Sequence, residues 1–144
     1  MSTVLELRIG GRPWQPTDST RLLTELDFYD MPTAGVLEQG TSKSLFMCVD
    51  GHGTPFTVWV YAPLEADEAA ALTSMRGAEA IDAEIARLFH TKPLIAVLAV
   101  NCEIRLATSN PLQLETLALR DAAVRAVTDQ AESEQQAARS LLPV

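Results

Sequence analysis

The sharpest pattern along the chain lies at residues 56–61, where Phe56, Val58 and Val60 alternate with Thr57, Trp59 and Tyr61. A period of two places these sets on opposite faces of a strand. Because the second set ends in polar tips, that face is expected to be only partly buried. Upstream, 35–38 and 44–49 are rich in strand-forming residues. They are separated by Gln39, Gly40, Thr41, Ser42 and Lys43, and Asp50, Gly51, His52, Gly53 and Thr54 supply a second loop. Residues 27–61 thus predict an antiparallel meander, introduced by Asp27, Phe28, Tyr29, Asp30, Met31 and Pro32. Pro32 biases Met31 towards an extended bend.

Towards the N-terminus, Val4, Leu5, Leu7 and Ile9 suggest a short strand ending at Gly10 and Gly11. Pro13 and Pro16 make a turn-rich link, in which Trp14 is expected across a core edge with its indole N–H on a partner. Leu22, Leu23 and Leu26 are at helical spacing behind Asp18 or Ser19, which reads as a helical turn with an extended segment as the alternative. After Pro63 and Leu64, an alanine-rich helix with Asp67 and Glu68 near its start is expected to bend or break at Gly77. Ile81, Ile85, Leu88 and Phe89 then mark one face of an amphipathic helix.

Residues 94–100 are apolar on both faces, as in a covered central strand, and Cys102, Ile104 and Leu106 alternate with polar neighbours beyond it. A turn near Asn101 would make the stretch a hairpin instead. Asn110, Pro111 and Gln113 form an N-terminal helix signature for a helix running from 111 to about 130. Its apolar face thins after Asp129, so 130–144 are expected to fray or dock, with Leu141, Leu142 and Val144 as an apolar tip for a partner, a second copy included. The architecture predicted is a single α+β domain over residues 1–144. It comprises an antiparallel sheet of four or five strands with two or three helices packed mainly on one face.

Composition narrows function mostly by exclusion. The chain has 144 residues, 47% of them hydrophobic and 21% charged, which suits one self-sufficient core. Nineteen acidic against eleven basic side chains give a net charge of −8, which disfavours nucleic acid because phosphate binding rests on lysine and arginine. The start of the chain lacks a cationic, apolar leader and no run is long enough for a membrane span, so a cytoplasmic protein without membrane contact is expected. Cys48 and Cys102 then stay as thiols, as expected in a reducing compartment.

Asp27, Tyr29 and Asp30 are the most suggestive cluster: two carboxylates and a phenol beside a proline bend suit acid–base work or a hard cation, or equally a hydrogen-bonded turn. Cys48, His52, His90 and Cys102 have the residue types of a zinc site but no paired-ligand spacing, so no metal and no cofactor is expected. With Asp50, the same residues offer only a weak Cys-His nucleophile pair. The usual phosphate, dinucleotide, serine-hydrolase and zinc-protease motifs are missing.

The order Asp27, Phe28, Tyr29, Asp30, Met31, Pro32, Thr33, Ala34, Gly35, followed by a hairpin, an aromatic strand and Pro63-Leu64, resembles a loosely defined group of small bacterial proteins. They carry an Asp-Tyr-Asp-Gly-Pro-x-Ser-Gly-like lead into a meander. The likeness covers roughly residues 22–90 and implies the fold alone, without catalytic residues. Met31 stands where that group has glycine and Ala34 where it has serine, which removes the residue that would favour a left-handed turn there. The function expected is an acidic, non-catalytic protein-binding module, of adaptor, inhibitor or immunity type, that meets a basic partner through Asp27, Tyr29, Asp30, Glu38, Asp50 and His52. The alternatives are a small enzyme with an Asp/Tyr/His cleft at the mouth of the meander, and a homo-oligomeric assembly component.

Overall fold

The computed structural model describes residues 5–112, 114 and 118–140, the last two of these by backbone alone. Its sheet is a six-stranded antiparallel meander, one or two strands more than the pattern predicts. In chain order the elements are β1 (Thr20–Phe28), β2 (Pro32–Gln39), β3 (Ser42–Asp50), β4 (Phe56–Leu64), α1 (Ala66–Ser74), α2 (Ala78–Thr91), β5 (Ile95–Val100), β6 (Glu103–Ala107) and α3 (Leu119–Ser140). Each strand pairs with the next, so the α1–α2 insertion leaves β4 and β5 neighbours.

The extra strands come from two places. The segment expected as a helical turn is β1, because its leucines serve two faces of a bulged strand: Leu22 packs on one side of the sheet, Leu23 and Leu26 on the other. Two register shifts, between Leu22 and Thr24 and between Glu25 and Asp27, turn period-two side chains into what looks like helical spacing. The apolar run at 94–107 is the hairpin β5–β6. Asn101 and Cys102 hold φ of 51° and 64° in its two-residue turn, a conformation that suits asparagine but would ordinarily fall to glycine at the second position.

The helices all pack on one face. Ala69 and Leu72 of α1, Ile85, Leu88 and Phe89 of α2, and Ala123 and Val127 of α3 meet Val36, Leu45, Val58, Val60 and Ala62 of the sheet. At α1, the Glu65 N–H donates to Glu68 Oε1 at 2.8 Å, and Lys92 just past α2 reaches the same oxygen at 2.6 Å, tying the two helices together. Pro111 and Leu112 lie outside any helix. The Leu112 N–H donates to the Leu94 carbonyl at 2.9 Å, and α3 begins only at Leu119. That helix continues to Ser140, so 130–140 are helical; Gln113, Leu117, Leu141, Leu142 and Val144 lie outside the described residues.

The opposite face carries Leu37, Phe46, Cys48, Trp59, Tyr61, Val97, Ala99 and Ile104. The predicted phasing of β4 holds, but Trp59 and Tyr61 are only 0% and 4% exposed, where partial burial was expected. The N-terminal arm is the reason. Described residues 5–9 form no strand. Instead the arm crosses the sheet, with Leu5, Leu7 and Trp14 on this cluster, and Trp14 packs against Trp59 at 6.0 Å between ring centroids. It is fastened at three points. Gln39 exchanges two 2.8 Å hydrogen bonds with the backbone of Glu6, Gly10 and Gly11 pair with Ile104, and the Tyr61 hydroxyl donates to the Pro13 carbonyl at 2.6 Å. The Trp59 indole N–H donates to Thr57 Oγ1 at 2.8 Å, which satisfies the buried donor.

Candidate functional site

An antiparallel meander sends alternate turns to opposite ends of the sheet. The β1–β2 turn, the β3–β4 loop and the β5–β6 turn therefore share one end, and they are joined there. Met31 Sδ lies 3.7 Å from Cys102 Sγ, and the Asn101 N–H donates to the Pro55 carbonyl at 2.8 Å. The three loops form a linked rim.

Each loop is fixed locally. In the first, the Tyr29 N–H donates to the Met31 carbonyl at 2.9 Å, Asp27 Oδ1 accepts the Phe28 N–H at 3.0 Å, and Asp30 adopts φ of 59°. The left-handed residue is thus Asp30, a position ahead of the missing glycine, because a short polar side chain tolerates that region. In the second, Gly51 is at φ of 84°, and a Cβ there would sit 2.0 Å from the Phe56 carbonyl oxygen. The Thr54 hydroxyl lies 2.8 Å from the carbonyls of both Gly51 and Phe56, closing the loop.

The structure brings Asp27, Tyr29, Asp30, Asp50 and His52 to this rim but separates Glu38 from them. Glu38 lies at the other end of β2, between Arg21 at 2.8 Å and Lys43 at 3.2 Å. The hydrogen bond from Lys43 holds its carboxyl below the usual carboxylate range, with Arg21 adding to the effect. A carboxylate already flanked by two cations is poorly placed to recruit a third, so Glu38 drops out of the candidate surface. Asp50 is also engaged, since Arg120 of α3 donates to it at 2.7 Å, which raises the arginine's affinity for its proton. Among the described residues, Asp27 and Asp30 have no ion-pair partner within 4 Å.

Sequence reasoning picked out Tyr29 but missed Phe28 and Phe56. Phe28, Tyr29 and Phe56 are 57%, 60% and 61% exposed, and all three stand on the rim. The expectation for Phe56 was a strand face shared with Val58 and Val60. It is the first residue of β4, directly after a five-residue loop, and the only exposed residue of that strand. Residue type alone could not tell a buried phenylalanine from an exposed one. The available signal was the position of Phe28 and Phe56 at strand ends beside turn formers.

The thiols separate in character. Cys48 is buried and donates weakly to the Asp50 carbonyl at 3.5 Å, and burial pushes its thiol up to about 11. Cys102 is half-buried in a turn, outside the strand expected for it. No group of three or more His, Cys, Asp or Glu side chains among the described residues is gathered as for a metal ion. No helix among them is long and apolar enough to cross a membrane. A cavity of about 550 Å³ lies away from the rim, between the 108–112 segment and α3, lined by Thr108, Asn110, Arg125, Asp129, Gln130 and Ser133 among others. It includes none of the rim residues, so the Asp/Tyr/His cleft expected of an enzyme is not formed by it. Comparison with protein-family models, with curated protein sequences and with solved structures finds no match to this chain.

Proposed function

We propose that this protein is a non-catalytic binding module whose rim of three loops docks a basic segment of a partner protein. The observation that carries the reading is the composition of one turn. Asp27 and Asp30, without ion-pair partners among the described residues, bracket Phe28 and Tyr29, both more than half exposed. Exposed aromatic side chains beside unpaired charge are what interface centres and rims are made of. Solvation alone gives no reason to hold two large rings in water. The net charge of −8 adds long-range attraction for a cationic partner.

The experiment is affinity capture with the full chain, comparing wild type with the double charge reversal D27K/D30K and, as an internal control, with E38K at the far end of the sheet. A partner that D27K/D30K loses and E38K keeps supports the rim. Equal capture by all three proteins overturns it.

A further inference from the structure

The rim has two kinds of group, and together they point to one cation over another. Phe28, Tyr29 and Phe56 are each about 60% exposed, and the turn that holds two of them is bounded by Asp27 and Asp30. A lysine ammonium is compact and strongly hydrated, so at an exposed site it gains less from a ring than from the carboxylates. A guanidinium is planar and weakly hydrated, so it can lie on a ring while its N–H fork meets a carboxylate. We infer that the rim reads arginine: the occupant is a partner segment bearing exposed arginine side chains, which stack on Phe28, Tyr29 and Phe56 and pair with Asp27 and Asp30. This rests on the docking reading above and goes beyond it by naming the recognised side chain.

The chain itself provides an example at the same rim. Arg120 sets its Nε on Asp50 at 2.7 Å, so a guanidinium from α3 already occupies a rim carboxylate. Asp27 and Asp30 are left for an external one. Glu103, the next carboxylate along, is already paired with Arg105 at 3.3 Å. A second copy is a poor occupant, because a two-fold contact between rims would set Asp27 and Asp30 against their own images. The turn is also held in place before binding. Met31 against Cys102 and the Tyr29 to Met31 hydrogen bond fix its backbone, so a ligand need not order it.

The test is a fluorescence-polarisation titration of the full chain with two labelled ten-residue peptides of Gly and Ser. One carries four arginines, and the other four lysines at the same positions. Wild type is expected to bind the arginine peptide about fivefold more tightly, or better, as contributions of exposed ring contacts imply. F28A/Y29A is expected to erase the preference while leaving salt-dependent binding of both peptides. D27N/D30N is expected to weaken both. All four side chains are exposed, and circular dichroism verifies that the variants fold. Equal affinities for the two peptides, with both still weakened by D27N/D30N, would overturn the arginine inference and leave the docking reading standing. Binding of neither peptide, or binding that no rim substitution changes, would overturn both.

Discussion

Met31 Sδ and Cys102 Sγ are 3.7 Å apart, although their turns belong to opposite edges of the sheet. In a flat sheet the β1–β2 and β5–β6 turns would stand four strand spacings apart, about 19 Å. The contact therefore requires the sheet to curl. Cys102 holds φ of 64° in its turn. A left-handed non-glycine residue costs about 1–2 kcal/mol. C102G relieves that strain but loses the sulfur contact. In the M31A background only the relief remains, so C102G should stabilise M31A by about 1 kcal/mol and wild type by less. Urea melts of the four proteins in the cycle measure the difference.

Alkali should destabilise the protein through Cys48. Its thiol is raised from an ordinary value of about 9 to about 11 by burial, so the folded state prefers the neutral form. The sign follows directly: the stability is fully present below pH 9 and is lost as pH rises through 11, because the unfolded chain gives up its proton first. The loss approaches about 2–3 kcal/mol. C48A should flatten the urea-midpoint profile between pH 9 and 11. The buried Tyr61 hydroxyl, also raised by burial, contributes only beyond its own ordinary value near 10. At neutral pH, Cys102 should react with a thiol reagent well before Cys48 does, as labelling followed by peptide mapping can show.

Lys92 and Glu68 are each less than one-fifth exposed in their side chains and sit 2.6 Å apart. Burial opposes ionisation of Glu68, yet the Lys92 hydrogen bond and the Glu65 N–H outweigh it and hold the carboxyl below its usual range. Its contribution is therefore present above the ordinary carboxylate value and is lost as pH falls. K92M should cost about 1–3 kcal/mol because it strands a partly buried carboxylate, whereas the double change K92M/E68Q should cost less than the sum. Chemical denaturation of the singles and the double gives the coupling.

Gly51→Ala should be among the most damaging substitutions at the rim. The added Cβ would stand 2.0 Å from the Phe56 carbonyl oxygen, at a φ of 84° that side chains rarely adopt. A loss well above about 2 kcal/mol is expected, against about 1–2 kcal/mol for Gly53→Ala, whose φ of 78° is strained but whose Cβ meets nothing within 4 Å. Thermal melts of the two variants make the comparison.

The meander and α2 were legible because their periods survive intact in β4 and in Ile81, Ile85, Leu88 and Phe89. β1 was not, since bulges at Leu23 and Leu26 break the period of two. The 94–107 hairpin is ambiguous in the sequence because Cys102 occupies a turn position where glycine would announce it. Full burial of Trp59 and Tyr61 depends on an arm folded back across some fifty residues of chain, a long-range contact no local pattern carries. The carboxylates Asp27, Asp30 and Asp50 can be picked out by residue type, but the place of Glu38 and the exposure of Phe28 and Phe56 turn on neighbours that only the fold supplies.

The most direct test is where a cationic ligand touches the protein. Backbone amide shifts of the isotope-labelled full chain, followed during titration with the arginine peptide, should move most at residues 27–31, 51–56 and 101–102. Largest shifts at Glu38 and Lys43, or along Arg125, Asp129 and Gln130 of α3, would contradict docking at the rim.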